Sequence, residues 1–262
     1  MKIAVAGKGG VGKTTLAAAL VRLRVARGNR VIAVDADPAG NLPSALGIPP
    51  GKGPAPIAGM KDLVRERTGA RDDGGGLMFT LNPQVDDLPD KYSVDAGGAR
   101  LLVLGTVERG GKGCMCAESA VLKALMQHLF LRVPDDVILD MEAGLEHMGR
   151  ASSGGVDAMI AVVEPGLRSV ETARRVRALA ADIGIRRVFV VANKVHGKSE
   201  AAALRAALAG ERVLGMLPYS DAVAKADLKG RTAFVRDREF DAAAAGIAAA
   251  LEKELAAPEG GR

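Results

Sequence analysis

Gly7-Lys8-Gly9-Gly10-Val11-Gly12-Lys13-Thr14-Thr15, close to the start of the chain, has the residue types and spacing of a phosphate cradle. It fits G-x-x-x-x-G-K-[ST] at Gly7, Gly12, Lys13 and Thr14. Glycines let the backbone curl so that its N–H groups face phosphate oxygens. A following helix adds the positive end of its dipole. In such a cradle Gly9, Gly10, Val11, Gly12, Lys13, Thr14 and Thr15 surround a nucleotide. Lys13 reaches the outer phosphates, and the Thr14 hydroxyl faces Mg²⁺. Lys8 places a second cation beside the same phosphates.

Carboxylates and thiols supply the remaining chemistry. Asp35 and Asp37 close an apolar run and, two residues apart on a strand, share a face. Asp140 closes another apolar run. Carboxylates so placed hold the water shell of Mg²⁺ (Asp35, Asp140) or orient an attacking water (Asp37). After Asp140 comes Met141-Glu142-Ala143-Gly144, and the bare backbone of Gly144 suits a switch loop approaching a terminal phosphate. His147 reads as a polar or capping residue, and Glu142 has no assigned role. Cys114 and Cys116, the only cysteines, form C-x-C behind Gly110-Gly111-Lys112-Gly113. One chain then offers two thiolates, whereas a tetrahedral Zn²⁺ site or an iron–sulfur cluster needs four ligands. Two chains across a two-fold axis would supply four. Such a set suits Zn²⁺, Cu⁺, an iron–sulfur cluster or planar Ni²⁺. Two small thiols without a ligand are the alternative reading.

Positioning these groups requires strands that end at one edge of a sheet. Buried parallel strands read as continuous apolar runs. Such runs occur at 2–6, 30–38, 100–105, 136–140, 156–165, 187–194 and 212–219, with a shorter edge strand at 77–81. Helical patterns fall at 16–24, 57–67, 117–131, 169–183 and 241–255, with another opening at Ser220-Asp221. Residues 43–56 read as a loop and 92–98 as polar and irregular. Strands alternating with helices predict a doubly wound α/β fold with a mainly parallel sheet. In that fold ligands sit at the carboxyl ends of the strands.

The chain of 262 residues is expected to form one domain with a tail at about 257–262. Hydrophobic residues reach 48%, enough for a sizeable core, but aromatics are only 3%, so that core must be Ala, Val, Leu and Ile. No apolar run is long enough for a membrane span. An opening directly on a strand leaves no room for a signal peptide, which makes the cytosol the expected compartment. There, two cysteines point to metal or redox chemistry rather than a structural disulfide. The net charge of +5 is scattered and carries little weight for nucleic-acid binding.

The lysine-bearing loop Lys8 to Thr15 resembles the variant phosphate loop of a family of dimerising ATPases. That family includes nitrogenase iron protein, the septum-site and partition ATPases, and metallocluster-assembly ATPases. The order of this loop, D-A-D-P-x-x-N-L at Asp35 to Leu42, G-K-G-C-M-C-A-E-S at Gly111 to Ser119, and D-M-E-A-G-L-E-H-M-G-R at Asp140 to Arg150 resembles its CooC-type branch. That branch comprises nickel-insertion accessory ATPases of carbon monoxide dehydrogenase. The likeness spans essentially the whole chain, and maturation ATPases for acetyl-CoA synthase share much of it. It implies a P-loop ATPase that binds ATP or ADP with Mg²⁺ and forms a homodimer. Lys8 would reach the partner's nucleotide, and Asp37 would serve hydrolysis. Asn41 and Gly144 would join Asp37 in the switches. Asn193 would bind the adenine, Pro218 would lie beside the base, and Lys194 would belong to the nucleotide site. Cys114 and Cys116 would bind one Ni²⁺ or Zn²⁺ per dimer. The client would be carbon monoxide dehydrogenase or a related nickel enzyme, with no nucleic acid or membrane partner. Two other members of the wider family frame the alternatives: a positioning ATPase on DNA or membrane, and an iron-protein-like reductase.

Overall fold

The computed structural model describes residues 1–70, 79–105, 116–143, 155–227 and 237–257. Its centre is β1 (Lys2–Gly7), buried along its whole length. On one side β1 pairs with β5 (Asp136–Glu142), on the other with β6 (Ala158–Val163). Beyond β5 lie β2 (Val31–Asp35), β4 (Ala99–Val103) and β3 (Val94–Ala96). Beyond β6 lie β7 (Val188–Val195) and β8 (Val213–Pro218). All of these pairings are parallel except β3 with β4.

Alternation along the strands divides the core in two. Ile3, Val5, Ala33, Ile138 and Ile160 face one side, packed with α1 (Lys13–Ala26) and the last helix, α9 (Arg238–Ala256). Ala4, Ala6, Val34, Leu139 and Ala161 face the other. That side is covered by α3 (Lys61–Thr68), α5 (Ala117–Leu131), α6 (Leu167–Asp182) and α7 (Gly197–Ala207). Short helices α2 (Leu42–Ala45), α4 (Leu88–Tyr92) and α8 (Asp221–Asp227) fill connections. This is the doubly wound, mainly parallel α/β architecture that the strand–helix alternation predicts.

One edge differs from expectation. The structure has no strand at Phe79–Leu81, and residues 77 and 78 lie outside the described set. The antiparallel edge strand is instead β3, within the stretch that reads as irregular. Gly97 (φ 66°) and Gly98 (φ 92°) join it to β4 as a two-residue hairpin. Positive φ at both central residues is what a turn with the matching twist demands.

Candidate nucleotide site

The loop from β1 to α1 lies at the carboxyl edge of the sheet, between the ends of β5 and β6. Gly7 packs so closely that a Cβ there would sit 2.8 Å from the Val162 carbonyl and 2.9 Å from Val11. Gly10 and Gly12 take φ of 84° and 90°, a left-handed conformation that favours glycine. Gly12 is constrained twice, since a Cβ would meet Asn193 Nδ2 at 2.0 Å. Lys8, Gly9 and Gly10 are exposed at the tip, and Val11 is fully buried beneath it. Thr14 and Thr15 stand half-buried on the first turn of α1.

Lys13 is buried, with its Nζ 2.5 Å from Asp37 Oδ2. The carboxylate expected to orient water thus holds the phosphate-seeking lysine. Asp37 also accepts from the Ala39 N–H at 2.8 Å, an Asx turn that begins the loop after β2. Asp35 is fully buried, and its two oxygens each accept a backbone N–H, from Asp37 and Leu42, both at 3.0 Å. It therefore ties down the loop that carries Asp37 and the exposed Asn41. Burial raises the Asp35 pKa to about 6 against those hydrogen bonds. Asp140, also fully buried, accepts the Thr14 hydroxyl on Oδ2 at 2.6 Å. Its Oδ1 is buried and has no hydrogen-bond partner among the described residues. Burial raises the Asp140 pKa to about 7, with the Thr14 bond opposing and the Asp35 charge adding to the rise. A buried acceptor without a donor, beside a hydroxyl in the phosphate loop, fits the water shell of Mg²⁺.

On the other side of the loop lie the ends of β7 and β8. Asn193 is buried and its Nδ2 donates to the Val11 carbonyl at 2.9 Å. Lys194 Nζ donates to the Gly10 carbonyl at 2.5 Å. Pro218 ends β8 opposite Val195, and just beyond it Tyr219 stacks on His196 with ring centroids 4.5 Å apart. The structure thus gathers Lys13, Thr14, Asp35, Asp37, Asp140, Asn193 and Lys194 around one loop. What the arrangement offers is a glycine-rich loop at a helix N-terminus, a lysine and a spare carboxylate oxygen for a polyphosphate with a divalent cation.

The CobQ/CobB/MinD/ParA nucleotide binding domain family matches residues 2–233. The chain is 42% identical over 236 residues to the carbon monoxide dehydrogenase accessory protein CooC of Rhodospirillum rubrum, covering 89% of each chain. The chain belongs to the CooC-type branch of the MinD/ParA family. It is also 44% identical over 234 residues to an uncharacterized ATP-binding protein of Methanocaldococcus jannaschii, covering 88% of this chain and 90% of that one. In fold it matches the MinD cell division protein of Aquifex aeolicus with a TM-score of 0.67 at 20% identity, over 98% of this chain and 99% of that one. The fold is accordingly that of MinD/ParA P-loop ATPases.

In this CooC-type chain β4 is also tied in at the carboxyl edge. The Leu104 N–H donates to the Asp35 carbonyl at 2.8 Å, and the Ala58 N–H to the Leu104 carbonyl at 2.9 Å. Cys116 stands at the N-cap position of α5 without a capping bond from its side chain, and its half-buried thiol lies 3.2 Å from Ser119 Oγ. Cys114, Gly144 and His147 lie outside the described residues, and Glu142 is exposed at the end of β5 beside Gly7. Among the described residues no three His, Cys, Asp or Glu side chains are grouped to hold a metal. Three features escape sequence reasoning: the Lys13–Asp37 pair, the Leu104–Asp35 link, and Glu164, whose Oε2 is 3.6 Å from Lys194 Nζ. None has a local signal, because each joins segments far apart in the chain.

Proposed function

We propose that this chain is a cytoplasmic ATP hydrolase that dimerises with nucleotide and assists nickel insertion into carbon monoxide dehydrogenase or a related nickel enzyme. The observation that carries the catalytic part is the Asp140 Oδ1 acceptor, buried and without a partner among the described residues, beside Thr14 in the phosphate loop. The likeness to CooC, a carbon monoxide dehydrogenase accessory protein, supports the client. Mg²⁺, held through Thr14 and Asp140, would shield phosphate charge. Lys13 would leave Asp37 for the phosphates, and the freed Asp37 would then orient the attacking water. Lys8, exposed at the loop tip, would reach the nucleotide of a second copy. Cys114 and Cys116 from two chains would take one Ni²⁺ or Zn²⁺ as cargo. Asn41 and Gly144 would move with the phosphate, and Asn193 and Pro218 would border the adenine. Neither DNA nor membrane is required by this cycle.

The test is an anaerobic titration with Ni²⁺ and Zn²⁺, without nucleotide and with ADP or ATP, read by metal content and by mass in solution. About one metal per dimer is expected, absent from the Cys114→Ala/Cys116→Ala double variant and coupled to the nucleotide state. Linkage requires metal to shift dimerisation by the same factor that dimerisation shifts metal affinity. Metal binding indifferent to both cysteines in every nucleotide state would remove the delivery role and leave a positioning ATPase as the better account.

A further inference from the structure

We infer that Lys194 is a positioning residue, holding the Gly10 carbonyl so that the phosphate loop presents its amides to phosphate. Lys194 is the only non-glycine with positive φ (59°) among the described residues. Such a conformation disfavours an L side chain, and it persists where surroundings over-determine it. Here the surroundings are the loop itself. Lys194 Nζ donates to Gly10 O at 2.5 Å, and the neighbouring Asn193 Nδ2 donates to Val11 O at 2.9 Å. Two successive residues of β7 therefore draw two successive loop carbonyls outward.

The consequence follows from peptide geometry. In a trans peptide the N–H points opposite to the carbonyl. With the Gly10 and Val11 carbonyls turned to β7, the N–H groups of Val11 and Gly12 turn away from it. Successive amides aimed one way make an anion-binding concavity. Val11 N–H is engaged only weakly, 3.4 Å from Lys8 O, and so remains available. Glu164 Oε2, 3.6 Å from Lys194 Nζ, steadies the ammonium from the end of β6. Lys194 thus acts from outside the loop, on its backbone, rather than on a base.

This inference rests on the nucleotide-binding reading, and its test separates the two. Mg-ATP and tripolyphosphate, which has no base, are titrated onto wild type, Lys194→Met, Lys194→Arg and Lys194→Gly. Wild type should bind both. Lys194→Met should weaken both by a common factor of about ten, the worth of one charge-assisted hydrogen bond. Lys194→Arg should recover most of the loss. Lys194→Gly relieves the backbone conformation, so it should melt no lower than wild type and still show the full loss. A loss confined to ATP would make Lys194 a base contact and overturn the inference. So would undiminished binding in Lys194→Gly. Failure of wild type to bind either probe would overturn the nucleotide reading as well.

Discussion

At the amino edge of the sheet, Asp135 and Asp136 open β5 among basic groups. Asp136 Oδ2 accepts from Arg24 Nε at 2.7 Å, and the same guanidinium reaches Glu252 at 2.6 Å and Asn29 at 2.9 Å. Asp135 pairs with Arg30 at 3.0 Å and Arg100 at 2.5 Å. Lys2 Nζ donates to two carbonyls, those of Val133 and Asp135. At the carboxyl edge the buried charges are Lys13, Asp35, Asp37 and Asp140. Here, among the described residues, one acceptor has no donor, and one lysine is held by an aspartate beside the phosphate loop. Both edges bury ions at the ends of the same strands. The amino edge uses up its bonding capacity and so contributes stability. The carboxyl edge keeps capacity unspent and so can take a ligand. Between these two edges, unfilled capacity rather than charge itself sets the candidate site apart.

The contrast is broken most sharply at Lys13. Lys13→Ala should lower ATP hydrolysis on the order of a thousand-fold, measured as phosphate release, because the loop loses its charge on the outer phosphates. Next is Gly12→Ala. It forces an alanine to φ 90° and into Asn193. The conformational cost of about 1–2 kcal/mol and the lost Asn193–Val11 bond of about 1 kcal/mol predict a folded state less stable by about 2–3 kcal/mol. Urea unfolding would show it, and Asn193→Ala added to Gly12→Ala should restore only part. At the opposite edge, Asp136→Ala should cost about 2 kcal/mol in urea unfolding by removing the carboxylate that Arg24 Nε and the Met1 ammonium share, with kcat/KM unchanged.

The smallest effect is on pH. Asp35 and Asp140 have folded pKa values of about 6 and about 7, above the model-compound 3.8. The folded state therefore binds more protons than the unfolded chain between these values. Stability from both groups is fully present below pH 3.8 and is lost as pH rises through about 6 and about 7. Melting of the nucleotide-free protein should accordingly fall by a few degrees from about pH 5 to about pH 8. Asp140→Asn should flatten that slope. A slope unaltered by the substitution would mean that another group sets it.

What the sequence makes legible follows from range. The central strands declare themselves as apolar runs, and the phosphate loop is contiguous, so both are readable without the fold. Val121, Leu122, Leu125 and Leu129 of α5 are buried as their spacing predicts. β3 is missed because three residues are too short to show alternation, although Gly97-Gly98 is the signal of its hairpin. The helix Gly197–Ala207 is also missed, since it buries only Leu204 and has no apolar stripe to read. In the site, Asp35, Asp37 and Asp140 are found because each ends an apolar run. What they touch is not found, because Lys13–Asp37 and Asn193–Val11 form only after the strands are side by side.

The bond from Asn193 to Val11 joins residues 182 apart in the chain. A nascent chain that has emerged through β6 already carries the whole glycine motif, yet lacks both side chains that turn its carbonyls outward. Long-range contacts of this kind form late. The loop therefore cannot take its final shape until β7 has been made, so a chain that stops at β6 carries the motif without the two bonds that set it.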